Sequence, residues 1–181
     1  MAITATDIHY RGSTTSGSAG NSVAPGAAGT SLGKYIVNAD ITDASLNNLF
    51  DDVTGDQNAA SQIDYQCMFV YNAHATLTLL APCVAWLSAE VAGGVSCAIW
   101  PDSTASLAVG SASVQALTIA SKTTAPAASS FSAPTTKGTG LTVGAVPATF
   151  VKGIWVRRTA ANTAAVDSDG VTIRVEGDTA A

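Results

Sequence analysis

The stretch Tyr65-Gln66-Cys67-Met68-Phe69-Val70-Tyr71 decides the fold class, because its side chains divide into two alternating rows. One row holds the three aromatic residues and the cysteine, and the other holds Gln66, Met68 and Val70. A period of two residues is typical of a β-strand. The stretch 171–176 alternates apolar with polar residues, as a half-buried antiparallel strand does. The stretch 150–157 is apolar on both faces, with Lys152 and Arg157 interspersed, and is a further strand candidate.

Several further short segments are rich in β-branched or aromatic residues and are separated by turn residues. They are Ala2–Tyr10, Thr76–Leu80, Cys83–Ser88, Val95–Trp100, Val114–Ala120 and Gly140–Val143. About eight short strands without alternating strand–helix units predict an all-β fold, an antiparallel β-sandwich or jelly roll. The length of 181 residues fits one domain over residues 1–181.

One short helix is expected close to Leu46. Thr42 or Asp43 can cap its start, and Leu46, Leu49 and Phe50 recur at helical spacing. The expected role of this helix is to lay its apolar side chains over one end of a sheet.

Two long segments are predicted to be irregular. Residues 11–33 are rich in Gly, Ser, Ala and Thr and predict a flexible arm or loop. Residues 122–149 carry three prolines in low-complexity sequence and predict a second loop. Loops of this length in a compact domain are usually functional or ordered by a partner. The segment 1–33 has little core-forming content, so the fold is expected to survive its removal.

The charge of the chain excludes several function classes. Only 12% of residues are charged, the net charge is −5 and the isoelectric point is about 4.6. Binding to nucleic acid through a basic face is therefore not expected.

The mean hydropathy is +0.29, but the longest charge-free stretch, 65–89, contains Pro82 and many polar residues, so no membrane span is expected. The N-terminal sequence has neither the basic nor the apolar region of a secretory signal.

The residues that could bind a metal lack the usual spacing of ligands. Cys67, His74, Cys83 and Cys97 contain no closely spaced pair, so reduced, buried thiols and a turn histidine are expected instead. The acidic run 51–56 does not match a calcium loop. No metal or other cofactor is predicted.

The sequence also lacks the motifs of common enzymes. It contains no G-x-S-x-G elbow, phosphate-binding loop or dinucleotide fingerprint. A hydrolase with a carboxylate pair stays open on sequence grounds, but no catalytic residue can be named and the chain is predicted not to be an enzyme.

Three residues are candidates for an interface. Trp86 and Trp155 have apolar neighbours and are expected in the core, whereas Trp100 precedes Pro101 at a strand end and could face a partner or a sugar. Arg157 and Arg158 form the only basic pair, which fits either a solvated strand end or an ion pair between subunits.

Several segments, taken in order, resemble a group of tailed-bacteriophage virion structural proteins. They are Leu46-Asn47-Asn48-Leu49-Phe50-Asp51-Asp52-Val53-Thr54-Gly55, Asp64-Tyr65-Gln66-Cys67-Met68-Phe69-Val70, Asn72-Ala73-His74-Ala75-Thr76-Leu77, Gly153-Ile154-Trp155-Val156-Arg157-Arg158-Thr159 and Ile173-Arg174-Val175-Glu176-Gly177-Asp178-Thr179. The resemblance extends from Ala2 to Thr179.

The resemblance implies a protein of the virion that is assembled in the bacterial cytoplasm. Its expected role is to decorate and cement the capsid, with the major capsid protein and further copies of itself as partners and with neither nucleic acid nor membrane. Segments 11–33 and 122–149 are expected to make these contacts. A tail- or fibre-associated component and a carbohydrate-binding β-sandwich are the alternatives.

Overall fold

The computed structural model describes residues 2–17 and 23–179, and its regular secondary structure is mostly β-strand, as predicted. No helix in these residues is long and apolar enough to cross a membrane. The helix α1 spans Gly55–Ala59, and single 3₁₀ turns lie at Ala5–Asp7 and Lys137–Thr139. The strands are β1 (Ile8–Thr14), β2 (Gly33–Asp40), β3 (Ile63–Asn72), β4 (Leu79–Glu90), β5 (Ser96–Pro101), β6 (Leu107–Ala108), β7 (Ala116–Thr118), β8 (Leu141–Thr142), β9 (Phe150–Thr159) and β10 (Val171–Thr179).

The larger sheet has the strand order β5-β9-β3-β1-β2-β7, with β6 also pairing with β9. Its central ladder joins β3 to β9 in an unbroken antiparallel register from Ile63 opposite Thr159 to Tyr71 opposite Val151. Both strands are apolar on both faces, because each face of this sheet is covered.

The smaller sheet has the order β10-β4-β8, and together the two sheets form a half-barrel. One corner is closed by the segment that precedes β8. Ser132 and Ile99 of β5 exchange backbone hydrogen bonds of 3.1 and 2.8 Å, and Leu87 of β4 donates its N–H to the carbonyl of Pro134 at 2.8 Å. The strand β10 forms the other edge of the smaller sheet.

The alternation read in residues 65–71 separates two apolar cores. Met68 and Val70 pack into the inner core, which lies between the sheets and includes apolar residues of β4, β5 and β9. Cys67 and Phe69 pack into the outer core on the opposite face of the larger sheet, together with Trp155. The two rows of the stretch therefore stabilise two different layers of the molecule.

The position predicted for the helix is wrong. Residues 43–50 form turns, in which Ala44 and Asn47 have φ of 55° and 54°, a left-handed conformation that an α-helix excludes. Leu49 is nevertheless buried in the inner core, whereas Leu46 is 71% exposed. The helix lies further on because Thr54 caps it: its side chain accepts the N–H of Gln57, whose side chain accepts the N–H of Thr54.

Only the two ends of the loop or arm predicted for residues 11–33 belong to the sheet, and residues 15–17 and 23–32 lie outside the strands, as predicted. Residues 11–14 complete β1, which lies between β2 and β3, and Gly33 begins β2. Gly12 in β1 packs closely against this segment, because a Cβ at this position would come within 2.9 Å of the Oγ of Ser31. Loss of residues 1–33 would remove β1 from between β2 and β3, so the structure predicts that this truncation disrupts the larger sheet. Residues 18–22 of this segment lie outside the described residues.

The second predicted loop, 122–149, is also tied to the sheets. Besides closing the corner described above, it contributes β8, and the N–H of Val143 donates to the carbonyl of Cys83 at 2.8 Å. Other predicted strands have different bounds in the structure. The two predicted strands Thr76–Leu80 and Cys83–Ser88 are replaced by the single strand β4. The strand predicted at Ala2–Tyr10 begins later, as β1, and those predicted at Val114–Ala120 and Gly140–Val143 are shorter, as β7 and β8. The low-complexity sequence does not indicate these pairings, because backbone hydrogen bonds need no particular side chain.

Candidate functional site: an arginine–aromatic patch

Tyr65, Trp100, Phe131 and Arg157 form a surface cluster, which we call the arginine–aromatic patch. The strands of the larger sheet place three of them: Tyr65 of β3 lies opposite Arg157 of β9, and Trp100 projects from the neighbouring strand β5. Phe131 comes from the segment 122–149. Its ring centroid lies 5.4 Å from that of Tyr65 and 6.2 Å from that of Trp100.

The position of Phe131 follows from backbone pairing. Its neighbour Ser132 forms the bridge to Ile99 on the free edge of β5, which holds Phe131 over the outer-core face of the sheet. The patch side chains are all partly exposed, and its three aromatic rings pack against the outer core. The patch thus presents an aromatic surface whose Phe131 is attached to the sheet by backbone pairing of its neighbour.

Arg157 supplies the charge of the patch. Its guanidinium carbon lies 5.6 Å from the centre of the Phe131 ring, a distance at which a cation and a ring face attract each other. Its Nε is buried and has no hydrogen-bond partner within the described residues. Arg157 also takes part in none of the ion pairs of that portion of the chain. A partner that supplies a carboxylate or carbonyl oxygen would satisfy this group.

The next residue, Arg158, points to the opposite face of β9 and joins what we call the ion cluster. Its guanidinium lies 2.7 Å from Asp64 Oδ2 and 3.5 Å from Asp51 Oδ1, and Lys122 Nζ lies 2.5 Å from Asp51 Oδ2. The guanidinium also lies 4.7 Å from the centre of the Phe50 ring. Of the three residues predicted for an interface, the structure brings Trp100 and Arg157 together and separates Arg158 from them.

The pKa of Asp51 reflects this cluster. Burial raises the pKa of the carboxyl group, but the hydrogen bond and charge of Lys122, with the charge of Arg158, lower it further than burial raises it. The net pKa lies below the ordinary value of 3.8. Asp51 therefore stays ionised and binds the segment 122–149 to the sheet.

A second buried network, centred on Asp102, attaches residues 102–118 to the larger sheet. Asp102 Oδ2 accepts the indole N–H of Trp155 at 2.7 Å and the backbone N–H of Leu117 at 2.9 Å, and Oδ1 accepts the N–H of Thr104 at 2.7 Å. Lys152 Nζ donates to the carbonyl oxygens of Asp102 and Thr104 at 2.6 and 2.5 Å. Burial lowers the pKa of this lysine. The network holds residues 102–118 over the outer core.

The residues considered as metal ligands are dispersed. Cys67 lies in the outer core, while Cys83 and Cys97 lie in the inner core, and all three are free thiols. Burial raises the pKa of Cys83 to about 11 and that of Cys97 to about 12. His74 has a local role, since its Nδ1 accepts the N–H groups of Thr76 and Leu77. Residues 2–17 and 23–179 contain no group of three or more potential ligands.

The only contact between a histidine and a carboxylate within 4 Å in the described part of the chain joins His9 to Asp40 on the surface. His9 Nδ1 lies 2.5 Å from Asp40 Oδ2, and Arg11 Nε lies 2.7 Å from Asp40 Oδ1. Burial raises the pKa of Asp40, but its hydrogen bonds with His9 and Arg11 lower it below the ordinary value. This carboxylate therefore holds neighbouring strands together by accepting two donors.

Sequence reasoning missed Tyr65 and Phe131 as patch residues. The sequence signal for Phe131 was its position as the only aromatic residue in a run of small residues. A large aromatic side chain without apolar neighbours in sequence must pack against residues from elsewhere in the chain. Comparisons with protein-family models, with curated proteins and with solved structures give no match for this chain.

Proposed function

We propose that this chain is a structural, non-enzymatic protein that decorates and cements a tailed-bacteriophage capsid. It acts in the virion as a homo-oligomer and docks on the major capsid protein through the arginine–aromatic patch. The observation that carries the proposal is the convergence of Arg157 and Trp100 on Phe131 at the surface.

The physical argument rests on the chemistry of protein interfaces. Tyr, Trp, Phe and Arg are enriched at the centres of interfaces, and Trp, Tyr and Arg dominate their energetic hot spots. The patch combines three partly exposed rings with an arginine that lacks an ion-pair partner in the described residues. A capsid surface with an acidic side chain in an apolar setting would cover the rings and satisfy Arg157.

Binding to purified, undecorated capsids tests the proposal directly. Arg157→Ala and Phe131→Ala should each reduce co-sedimentation at least tenfold, the range expected for hot-spot residues. Lys137→Ala is the matched control, because it removes one positive charge from an exposed position outside the patch. Equal binding of all three variants and the unmodified chain would refute docking through the patch.

The copy number per particle separates the head from the tail. Quantitative mass spectrometry of purified virions should give a ratio to the major capsid protein that is one or a simple lattice fraction. A few copies to a few tens per particle would refute decoration and indicate a tail- or fibre-associated component.

Carbohydrate binding is the second candidate function, and the three rings of the patch favour it. Partly exposed aromatic faces can stack against the C–H faces of sugars, and Arg157 could donate hydrogen bonds to hydroxyl groups. A glycan array with the unmodified chain and Phe131→Ala decides this point. Glycan signals that vanish in the variant, together with no capsid binding, would replace the first proposal with this one.

A further inference from the structure

We propose that His74 makes the turn between β3 and β4 sensitive to pH: its neutral imidazole ring closes the turn, and a second proton on the ring opens it. The turn comprises residues 73–78, between the end of β3 at Asn72 and the start of β4 at Leu79. This device is a property of the isolated chain and does not depend on the proposed function.

The ring of His74 closes the turn as a hydrogen-bond acceptor. Its Nδ1 accepts the backbone N–H of Thr76 at 3.1 Å and that of Leu77 at 3.0 Å. A ring nitrogen that accepts a hydrogen bond carries no proton, so the ring is the neutral tautomer with its proton on Nε2. A second proton can bind only at Nδ1, where it would turn the acceptor into a donor that faces two other donors. Protonation of His74 and closure of the turn therefore exclude each other.

Two side chains, rather than backbone pairing, close this turn. In the described part of the chain, no backbone-to-backbone hydrogen bond joins two residues of the segment 73–78. Asn72 supplies the remaining contacts: its Oδ1 accepts the N–H of His74 at 3.1 Å. Its Nδ2 donates to the carbonyl oxygens of Leu77 and Val146, both at 2.9 Å. Asparagine does not titrate, so His74 is the part of this arrangement that responds to pH.

The base of the turn is held independently of His74. Asn72 is buried, and Leu79 exchanges backbone hydrogen bonds of 3.0 and 2.9 Å with Val146. By contrast, Thr76 is exposed and His74 is partly exposed, so solvent protons have access to the ring. Opening is thus confined to the turn and leaves β3 and β4 in their sheets.

Asp7 offers the protonated ring a second partner. It lies in the 3₁₀ turn that precedes β1, and its carbonyl oxygen accepts the N–H of Ala73 at 2.7 Å. Hydrogen bonds from the backbone and side chain of Thr4 lower the pKa of the Asp7 carboxyl group below its ordinary value of 3.8, and the charges of His74 and His9 lower this pKa further. Asp7 is therefore ionised over the range in which histidines titrate, and its charge attracts a protonated His74.

Two further titratable groups belong to elements next to the turn, His9 of β1 and Asp178 of β10. His9 Nδ1 lies 2.5 Å from the carboxylate of Asp40, so His9 has a partner of its own. Asp178 carries a negative charge and therefore also favours protonation of His74. The segment 145–149 has no titratable side chain.

The direction of the pH response follows from this geometry. The closed turn binds one proton fewer than the open turn, so closure is complete where the ring is neutral and is lost as the pH falls. Histidines change charge between about pH 8 and about pH 5. Over this range, the N–H groups of Thr76 and Leu77 should become accessible to solvent.

NMR spectroscopy of the unmodified chain tests this device directly. At about pH 8, the ring nitrogen shifts of His74 should show a proton on Nε2 alone, and the amides of Thr76 and Leu77 should be protected from hydrogen exchange. At about pH 5, the protection factors of these two amides should fall by about tenfold or more, the range expected for two lost hydrogen bonds. The amide of Phe69 in β3 is the internal control and should keep its protection.

Variants of His74 separate its role as an acceptor from its titration. In His74→Asn, the side-chain oxygen can accept a backbone N–H of the turn and does not titrate, so Thr76 and Leu77 should stay protected at both pH values. His74→Ala removes the acceptor, so protection should be lost at both. His9→Gln is the matched control, because it removes the other histidine of the chain, and it should respond to pH as the unmodified chain does.

Asp7→Asn tests the second partner. Its neutral side chain can still accept a hydrogen bond from Thr4 but no longer attracts a protonated ring, so opening of the turn should require a lower pH. An unchanged midpoint would overturn the part assigned to Asp7. A proton on Nδ1 of His74 at about pH 8, protection that does not follow the titration of His74, or a response that disappears in His9→Gln would overturn the whole inference.

Discussion

Two neighbouring arginines of β9 face opposite sides of the same sheet and have opposite environments. Arg158 is 6% exposed and lies in the ion cluster with the buried Asp64, whereas Arg157 is partly exposed and lies against the Phe131 ring. In a strand, a shift of one residue exchanges the two faces. The comparison teaches that neighbouring residues of one basic pair can have opposite environments: Arg158 belongs to a buried ion cluster, and Arg157 stays partly exposed beside an aromatic ring.

Removal of Arg158 should have the largest effect on stability. Arg158→Leu leaves the carboxylate of Asp64, which is 2% exposed, without its main partner. Breaking a buried ion pair from one side costs about 3–5 kcal/mol. Urea denaturation followed by tryptophan fluorescence measures this loss, and a decrease below about 1 kcal/mol would show that the ion cluster does not stabilise the fold.

Loss of a hydrogen bond from the network around Asp102 should have the next largest effect on stability. Trp155→Phe keeps most of the ring but removes the indole N–H that donates to Asp102. Loss of one donor to a buried carboxylate, with the smaller ring, should lower the free energy of unfolding by about 1–3 kcal/mol. Thermal denaturation measures the change; an unchanged midpoint would mean that the other donors to Asp102 suffice.

Lys122→Met should have a smaller effect that depends on pH. The pKa of Asp51 is lower in the folded chain than its ordinary value of 3.8, so the ion pair contributes its full stability above that pH. As the pH falls through the folded pKa, Asp51 becomes protonated and this contribution is lost. The stability difference between the unmodified chain and the variant should therefore be present at pH 6 and shrink below pH 3.8. A difference that stays constant over this range in urea titrations would contradict the assignment.

Arg157→Ala should have the smallest effect on stability, although it lies next to the most sensitive position. A partly exposed arginine without an ion pair contributes about 1 kcal/mol or less to the free energy of unfolding. Capsid binding should nevertheless fall, as described above. If Arg157→Ala destabilised the chain as much as Arg158→Leu, the proposed division between stability and recognition would be wrong.

The sequence predicted what depends on side-chain alternation. The all-β class, the two rows of residues 65–71 and the half-buried face of β10 all follow from a period of two. It failed where backbone or tertiary contacts decide the structure. Gly12 and Ser13 resemble linker residues, yet they lie in β1, and Phe131 joins the patch because its neighbour pairs with β5.

The candidate site was predicted only in part for the same reason. Trp100 and Arg157 stand out as a strand-end tryptophan and a basic residue, but their proximity depends on the register of β5, β9 and β3. The partners of Arg158 within the chain, Asp51 and Asp64, are about a hundred residues away in sequence, and no local sequence pattern indicates such a pairing.

The central ladder also determines when the chain can fold. β3 is complete at Asn72, but β9, its neighbour, begins only at Phe150, so residues 73–149 must be synthesised after β3 before the pairing can start. At a synthesis rate of about 5–20 residues per second, one edge of the apolar strand β3 stays unpaired for several seconds. Closing so long a loop also slows folding itself, since non-local pairing must first overcome the entropy of the intervening chain. The larger sheet therefore cannot be completed until β9 has been synthesised.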